Sequence, residues 1–231
     1  MVILLDACRY DVFKQVHGQL GLKHPLIKAV SPASQTRDWY LRTFAEALKP
    51  EETVLVGGTV VPWSNHLREL HDRWYRKHAI WRNERGERDS TWSLWSRTTV
   101  TNLVKRGLQE AELHPDKTIL VHCLPPHLPF YGKRGADWWR RTFGENIDYD
   151  QYLELRKYGK RNGWDDLREY YRESVEQSLR EITKFVLPSG TVVTSDHGEL
   201  TGENNQWIHS IEGGDYIPKL RNVPWMEVAS I

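Results

Sequence analysis

The sequence has little of the material that disulfide-stabilised, membrane-spanning or strongly charged proteins are built from. Its 231 residues include only two cysteines, Cys8 and Cys123, and these match neither a disulfide framework nor a metal-binding spacing. Two reduced thiols and the lack of a signal peptide predict a cytoplasmic protein. No apolar run is long enough to form a transmembrane segment. A net charge of +1 points to no strongly charged partner.

Aromatic residues, in contrast, are plentiful. The hydrophobic fraction is 39%, which is low for this length, but the chain contains 11 Trp, 10 Tyr and 5 Phe. These residues compensate because each aromatic side chain buries a large area. The length suits one domain with a full core, so we expect residues 1–231 to form a single domain.

Short β-branched apolar runs alternate with helical patterns along the chain. The runs predict strands at about 2–6, 53–57, 118–123, 190–195 and 223–228. Apolar residues at helical spacing predict helices at about 11–20, 36–48, 98–113 and 165–186. This alternation predicts an α/β fold with a mostly parallel central sheet and helices on both faces.

Two polar stretches, at about 62–97 and 129–163, do not fit this alternation. Both are rich in Arg and Trp, and we interpret them as insertions that cover the edge of the sheet. Their interspersed cations and aromatics suit contact with an anionic lipid, a glycan or a nucleic acid. The alternative interpretation is a set of surface arginines that pack on tryptophans.

Two of the predicted strands end on a carboxylate. Asp6 follows the first apolar run, and Asp196 and His197 follow the run at 190–195. The carboxyl ends of parallel strands meet at one edge of a sheet, where open α/β sheets bind ligands. Two carboxylates and an imidazole form a mixed oxygen and nitrogen set. The sequence therefore predicts a divalent metal site, with zinc or manganese favoured over magnesium or calcium.

Motifs at both ends and in the middle of the chain resemble those of the alkaline phosphatase and sulfatase superfamily. Residues 5–11 are similar to its opening metal-carboxylate motif, and residues 195–199 to its Asp-His motif. Residues 125–130 resemble its Pro-His-x-Pro-Tyr segment, and residues 220–225 its closing strand. The resemblance implies a three-layer alkaline phosphatase-like fold and a small phosphorylated or sulfated substrate.

That family carries a nucleophile shortly after the first strand, and residues 31–39 are the only candidate region. A Ser/Thr/Pro cluster before an apolar-periodic stretch predicts a helix N-terminus, which favours a bound phosphoryl or sulfuryl group. Alignment with the family motif places Thr36 at the reactive position, as nucleophile and metal ligand. Ser34 is the runner-up and otherwise a substrate-binding candidate. The alternative is that either residue only caps the helix.

The resemblance implies roles for two more residues, His127 and His209. His127 corresponds to a catalytic histidine that contacts the transferring group or the leaving oxygen, although a histidine held among prolines can also be structural. His209 corresponds to a residue that binds the substrate phosphate or completes a second metal site. The chain lacks the Asp-x-x-x-His pair of two-zinc phosphatases, which favours a single metal. Arg9 is expected to bind the anionic group of the substrate, with a solvated surface position as the alternative.

No cysteine lies near the proposed nucleophile, which disfavours a formylglycine sulfatase. A chain with threonine at the nucleophile position resembles phosphoethanolamine and glycerol-phosphate transferases and related phosphodiesterases. The sequence thus predicts a metal-dependent hydrolase or transferase of phosphate esters that proceeds through a covalent phospho-threonine. The alternatives are a sulfate- or phosphonate-ester hydrolase, or a non-catalytic binding protein that keeps the fold.

Overall fold

The computed structural model describes residues 1–59, 61–80, 99–144, 149–209 and 217–229. A seven-stranded sheet lies at its centre. Its strands are β1 (Val2–Leu5), β2 (Leu26–Val30), β3 (Thr53–Gly57), β4 (Arg76–Ala79), β5 (Thr118–Cys123), β6 (Val192–Ser195) and β9 (Asn222–Glu227). A separate antiparallel hairpin consists of β7 (Leu200–Thr201) and β8 (Trp207–Ile208).

The central sheet has the strand order β2-β9-β6-β1-β5-β3-β4. The central strand β1 pairs in parallel with β5 on one side and with β6 on the other. Of these seven strands, only β9 runs against the others, because it pairs antiparallel with both β6 and β2. The predicted mostly parallel α/β sheet is therefore confirmed.

Helices connect the strands and cover both faces of the sheet. They are α1 (Tyr10–Gln19), α2 (Thr36–Glu46), α3 (Arg68–His71), α4 (Val100–Leu113), α5 (Lys133–Phe143), α6 (Tyr149–Asn162), α7 (Asp165–Ile182) and α8 (Pro218–Arg221). Short 3-10 turns lie at Pro50–Glu52, Val61–Trp63, Asn65–Leu67 and Glu203–Asn205.

Alternating side chains of the central strands divide the core into two layers. On one face, Ile3 and Leu5 of β1 pack in a large cluster with residues of α1, α4 and α7. On the other face, Leu4 packs with aromatic residues of α2 and with Leu70 of α3. Helix, sheet and helix thus form three layers, and strands buried on both faces read as continuous apolar runs.

The five predicted strands and four predicted helices are all present, with ends shifted by a few residues. The edge strands β2 and β4 were not predicted. Strand β4 carries Arg76, Lys77 and His78, and such charged residues are typical of exposed sheet edges rather than of strand cores.

The two Arg- and Trp-rich stretches contain more regular structure than predicted. The first contains α3 and β4, and the second contains α5 and α6. Within them, Trp74 and Trp139 are buried in aromatic clusters, so they do not form an exposed stacking surface. Trp81 and Arg82 lie outside the described residues. That the stretches are insertions into a single domain stays a prediction.

Candidate active site

The ends of β1 and β6 bring Asp6, Asp196 and His197 together. Because Leu5 is in register with Ser195, Asp6 and Asp196 leave the sheet at the same level. All three side chains are buried, and one ligand atom from each lies within 4.8 Å of the others. The backbone N–H of Ala7 donates to Asp196 Oδ1 at 3.1 Å, which ties the two strand ends to each other.

Unusual backbone geometry shapes both strand ends. Ala7 adopts a left-handed conformation with φ of 57°, which is uncommon for a residue with a side chain. Gly198 N–H donates to Leu220 O at 2.7 Å, and a Cβ atom at Gly198 would lie 2.0 Å from Lys219 O. Only glycine therefore fits beside the backbone of α8 at this position.

Thr36 lies against the same cluster. It is the first residue of α2, as predicted, and Gln35 does not cap the helix with its side chain. The Thr36 Oγ1 atom lies 3.1 Å from His197 Nε2 and 3.4 Å from Asp6 Oδ1. The Ser34 side chain is half-buried and makes no hydrogen bond to the cluster within the described part of the chain.

Burial favours a neutral imidazole at His197, and the surrounding histidines favour an ionised carboxylate at Asp6. Burial alone would raise the pKa of Asp6, but three surrounding histidines outweigh this effect and hold it below its usual range. Burial lowers the pKa of His197 despite the nearby Asp196 carboxylate. His197 Nδ1 lies 2.8 Å from Gly198 O, so that carbonyl fixes the ring and leaves Nε2 directed at Thr36 and Asp6.

These residues fit a divalent cation. Asp196 Oδ2 is buried and has no hydrogen-bond partner within the described part of the chain. Among the described residues, neither Asp6 nor Asp196 forms an ion pair with Lys or Arg. Two buried carboxylates without a fixed cation are costly unless an ion neutralises them. Oxygen and imidazole ligands are the set that zinc and manganese accept.

A second group of ligand atoms lies beside the first. His127, Glu199 and His209 each place one ligand atom within 4.8 Å of the others. The His209 ring stacks on His197 with centroids 4.7 Å apart and lies 5.0 Å from the His127 ring. Burial alone would lower the pKa of His209, but Glu199, whose Oε2 lies 3.0 Å from His209 Nδ1, raises it to about 9.

Glu199 was not predicted as a possible ligand, and the sequence favoured one metal rather than two groups of ligands. The position of Glu199, at the same strand end as Asp196, was a signal from which a possible ligand could have been predicted. Its direction toward His209 depends on the β7–β8 hairpin, which sequence spacing does not reveal.

Arg9 is buried, and its guanidinium binds acidic residues. It donates to both carboxylate oxygens of Asp11, at 2.9 and 2.6 Å. On its other side it contacts Thr201 Oγ1 at 2.5 Å and Glu203 Oε1 at 2.8 Å. It also lies 3.4 Å from the backbone oxygen of Glu199. Arg9 therefore links the turn after β1 to the loop after β6, while its predicted substrate contact stays a prediction.

His122 lies inside β5, the strand predicted at about 118–123. It is fully buried, but its ring is not surrounded by apolar groups alone. Its Nδ1 atom lies 2.8 Å from the Tyr40 hydroxyl, and its Nε2 atom lies 3.5 Å from Asp6 Oδ2. Sequence reasoning missed this connection between the core and the site.

No protein-family model matches the chain, and no curated protein matches it either. Several solved structures do match the chain. The soluble domain of lipooligosaccharide phosphoethanolamine transferase A from Neisseria meningitidis matches with a TM-score of 0.59 and 14% identity, covering 99% of this chain and 76% of that one. The periplasmic domain of a Campylobacter jejuni phosphoethanolamine transferase matches with a TM-score of 0.58 and 15% identity, covering 97% and 76%.

This chain has the alkaline phosphatase-like fold. A phosphonate monoester hydrolase from Agrobacterium radiobacter also matches, with a TM-score of 0.55 and 13% identity over 97% of this chain and 66% of that one. The alkaline phosphatase-like fold predicted from the sequence motifs is thus confirmed by structures whose sequences have diverged widely.

The predicted cytoplasmic location is wrong, because the similar transferase domain from Campylobacter jejuni is periplasmic. The prediction gave too much weight to the two thiols. Cys8 and Cys123 are both free and fully buried, and a shielded thiol stays reduced whatever the compartment. In the described part of the chain, no helix has the length and apolar composition needed to cross a membrane.

Proposed function

We propose that the protein is a metal-dependent hydrolase or transferase of phosphate esters in which Thr36 is the nucleophile. The observation that carries the proposal is the position of Thr36 Oγ1, within 3.4 Å of Asp6 and 3.1 Å of His197, at the N-terminus of α2. A hydroxyl that shares a site with metal ligands and a helix N-terminus is suited to attack an anionic phosphorus centre.

Asp6, Asp196, His197 and Thr36 would hold the cation, which supplies positive charge that acidifies the hydroxyl and stabilises the phosphoryl oxygens. Thr36 gives its hydroxyl proton to water, and its Oγ atom forms a bond to phosphorus as the bond to the leaving oxygen breaks. His127 or His209 gives a proton to that oxygen or binds the phosphoryl group. Water or a second alcohol next displaces Thr36 from phosphorus, which completes hydrolysis or transfer.

The names of the structural neighbours support this reaction class. Two of them are phosphoethanolamine transferases and one is a phosphonate monoester hydrolase, whereas another, from Bacteroides thetaiotaomicron, is named a sulfatase and matches the sulfate-ester alternative. Zinc or manganese suits the mixed oxygen and nitrogen ligands best, with magnesium or calcium as less suitable ions. The second group, with His127, Glu199 and His209, offers ligands for another cation or for the substrate phosphate.

The cationic helices α5 and α6 support an anionic substrate that is larger than its reacting group. Arg140, Arg141 and Lys157 are exposed on these helices. They suit the headgroup of an anionic lipid, a charged glycan or a nucleic acid backbone. Because Trp139 is buried, stacking on bases contributes little here, which favours a lipid or a glycan.

The covalent intermediate provides a direct test. We expect the zinc-loaded protein, mixed with an aryl phosphate or phosphodiester and quenched in acid, to gain the mass of one phosphoryl group on the peptide that contains Thr36. In Thr36→Ala the adduct disappears and turnover falls at least about a thousandfold. Ser34→Ala, the matched control two residues away, keeps the adduct.

The result separates the alternatives. An adduct that persists in Thr36→Ala and vanishes in Ser34→Ala would identify Ser34 as the nucleophile. Faster initial rates on matched aryl sulfates or phosphonates than on phosphates would identify sulfate or phosphonate esters as the substrate class. Stoichiometric metal without turnover of any ester identifies a binding protein that keeps the fold.

A further inference from the structure

His122 is an unusual residue for the interior of a parallel sheet. It is fully buried in β5, where it pairs with Leu4 of β1 and Gly57 of β3. A buried imidazole that leaves a ring nitrogen unpaired costs free energy, so an apolar residue would be more stable here. Its Nε2 atom nevertheless has no hydrogen-bond partner at normal distance among the residues that the structure describes.

The ring is held from its other side by Tyr40. The Tyr40 hydroxyl lies 2.8 Å from His122 Nδ1, and the Tyr40 ring is fixed between Phe44 and Trp74. A phenol is protonated at neutral pH and is the natural donor to an imidazole nitrogen. When Nδ1 accepts this hydrogen bond, the proton of the neutral ring resides on Nε2.

On the side of Nε2 lies a carboxylate oxygen of the proposed metal site. His122 Nε2 lies 3.5 Å from Asp6 Oδ2. The other oxygen of the same carboxylate, Oδ1, faces Thr36 and His197. The two Asp6 oxygens are thus divided between the site and His122.

We propose that Tyr40 and His122 form a positioning pair for Asp6: Tyr40 sets the proton of His122 on Nε2, and this N–H orients the Asp6 carboxylate for the cation. The inference rests on the proposed function. Tyr40 lies one helical turn after Thr36 in α2, so one helix positions both the proposed nucleophile and, through His122, the first carboxylate. Outer partners of this kind fix the direction of metal-binding carboxylates.

The test compares metal affinity in variants of the pair. Tyr40→Phe removes only the hydroxyl, and His122→Leu removes the donor to Asp6. Competition with a chromogenic chelator should show zinc affinity weakened about 10-fold to 100-fold in His122→Leu and about 3-fold to 10-fold in Tyr40→Phe. His122→Gln, which keeps an N–H donor, should restore part of the loss. Tyr75→Phe is the matched control, because Tyr75 lies 3.5 Å from His114 Nδ1, away from the site.

A second measurement does not depend on metal. Nitrogen-15 NMR spectra of the metal-free protein should show the His122 proton on Nε2, and a mixture of tautomers in Tyr40→Phe. A proton on Nδ1, or zinc affinities equal to that of Tyr75→Phe, overturns the proposal. If His122→Leu does not fold, Tyr40→Phe and the spectra decide. Failure of the wild-type protein to bind any divalent cation refutes the proposed function instead, and is measured first.

Discussion

Glu110 and Asp196 are both fully buried carboxylates, but they lie in different electrostatic surroundings. Glu110, on α4, has Arg106 Nη2 at 2.8 Å and His78 Nε2 at 3.0 Å, with Arg76 and His114 each at 3.6 Å. Within the described residues, the side chain paired with the Asp196 carboxylate is His197, with Nε2 at 3.4 Å, and the backbone N–H of Ala7 also donates to Oδ1 at 3.1 Å.

The difference shows which charges the protein neutralises itself. At Glu110 the fold supplies two guanidinium groups, which are permanently charged. Near Asp196 it supplies a second carboxylate, Asp6, and an imidazole whose pKa burial lowers. Among the described residues no Lys or Arg neutralises this buried negative cluster, which is therefore suited to a cation from solution. We therefore interpret the Glu110 cluster as structural and the Asp196 cluster as functional.

Removal of metal should distinguish the Asp196 cluster from the Glu110 cluster most strongly. We expect chelation to abolish turnover and to lower the unfolding temperature, because a cation at 100 times its dissociation constant adds about 2.7 kcal/mol to the unfolding free energy. Calorimetry and an ester assay, before chelation and after zinc or manganese is returned, measure both effects.

Glu110→Gln is the control for that experiment. Loaded with metal, it should respond to the chelator as the wild-type protein does, since its cluster binds no cation. If chelation leaves both turnover and unfolding temperature unchanged while elemental analysis shows no residual metal, the functional interpretation of the Asp196 cluster fails.

The parts of this site that the sequence revealed share one property: they lie where a regular element begins or ends. Asp6 and Asp196 end apolar runs, and parallel pairing forces such ends to one edge of the sheet. Thr36 begins an amphipathic helix, which the Ser/Thr/Pro cluster before it marked in the sequence. Local patterns were therefore sufficient to place the two carboxylates and the helix start, whereas the choice of Thr36 over Ser34 depended on the resemblance to the family motif.

The parts that the sequence did not reveal depend on contacts between distant residues. His122 meets Tyr40 across 82 positions, and Glu199 meets His209 through the short β7–β8 hairpin. Strand β2 was missed because it is a short edge strand with exposed Ile27, and its pairing with β9 joins residues far apart in the chain. Periodicity reports which face of an element is buried, but not which side chain it meets there.

Neutralising one carboxylate in each cluster compares how much each charge contributes to the unfolding free energy. In metal-free protein, Asp196→Asn should leave the unfolding free energy unchanged or raise it, because it removes one of two neighbouring buried carboxylate charges and keeps the oxygen that accepts from Ala7. Glu110→Gln should lower it by about 1–3 kcal/mol, because Arg106 and His78 lose their partner. Urea denaturation in the presence of a chelator measures the unfolding free energy of both variants.

Glu176→Gln, which removes a partly exposed carboxylate paired with Arg172 and Arg180, is the matched control and should cost less than about 1 kcal/mol. Equal destabilisation by Asp196→Asn and Glu110→Gln would show that both clusters are neutralised within the chain, contrary to our interpretation.

The smallest expected effect is a pH dependence that belongs to the Glu110 cluster. Burial, followed by the Arg106 charge, lowers the pKa of His78, although Glu110 opposes the shift. The unfolded state then binds more protons than the folded state near the usual histidine pKa, so stability present above pH 6.5 is lost as the pH falls through the folded pKa. His78→Gln should reduce the difference in unfolding free energy between pH 7.5 and pH 5 by less than about 1 kcal/mol. An equal or larger pH dependence in the variant would mean that the positive charges beside Glu110 do not hold His78 neutral.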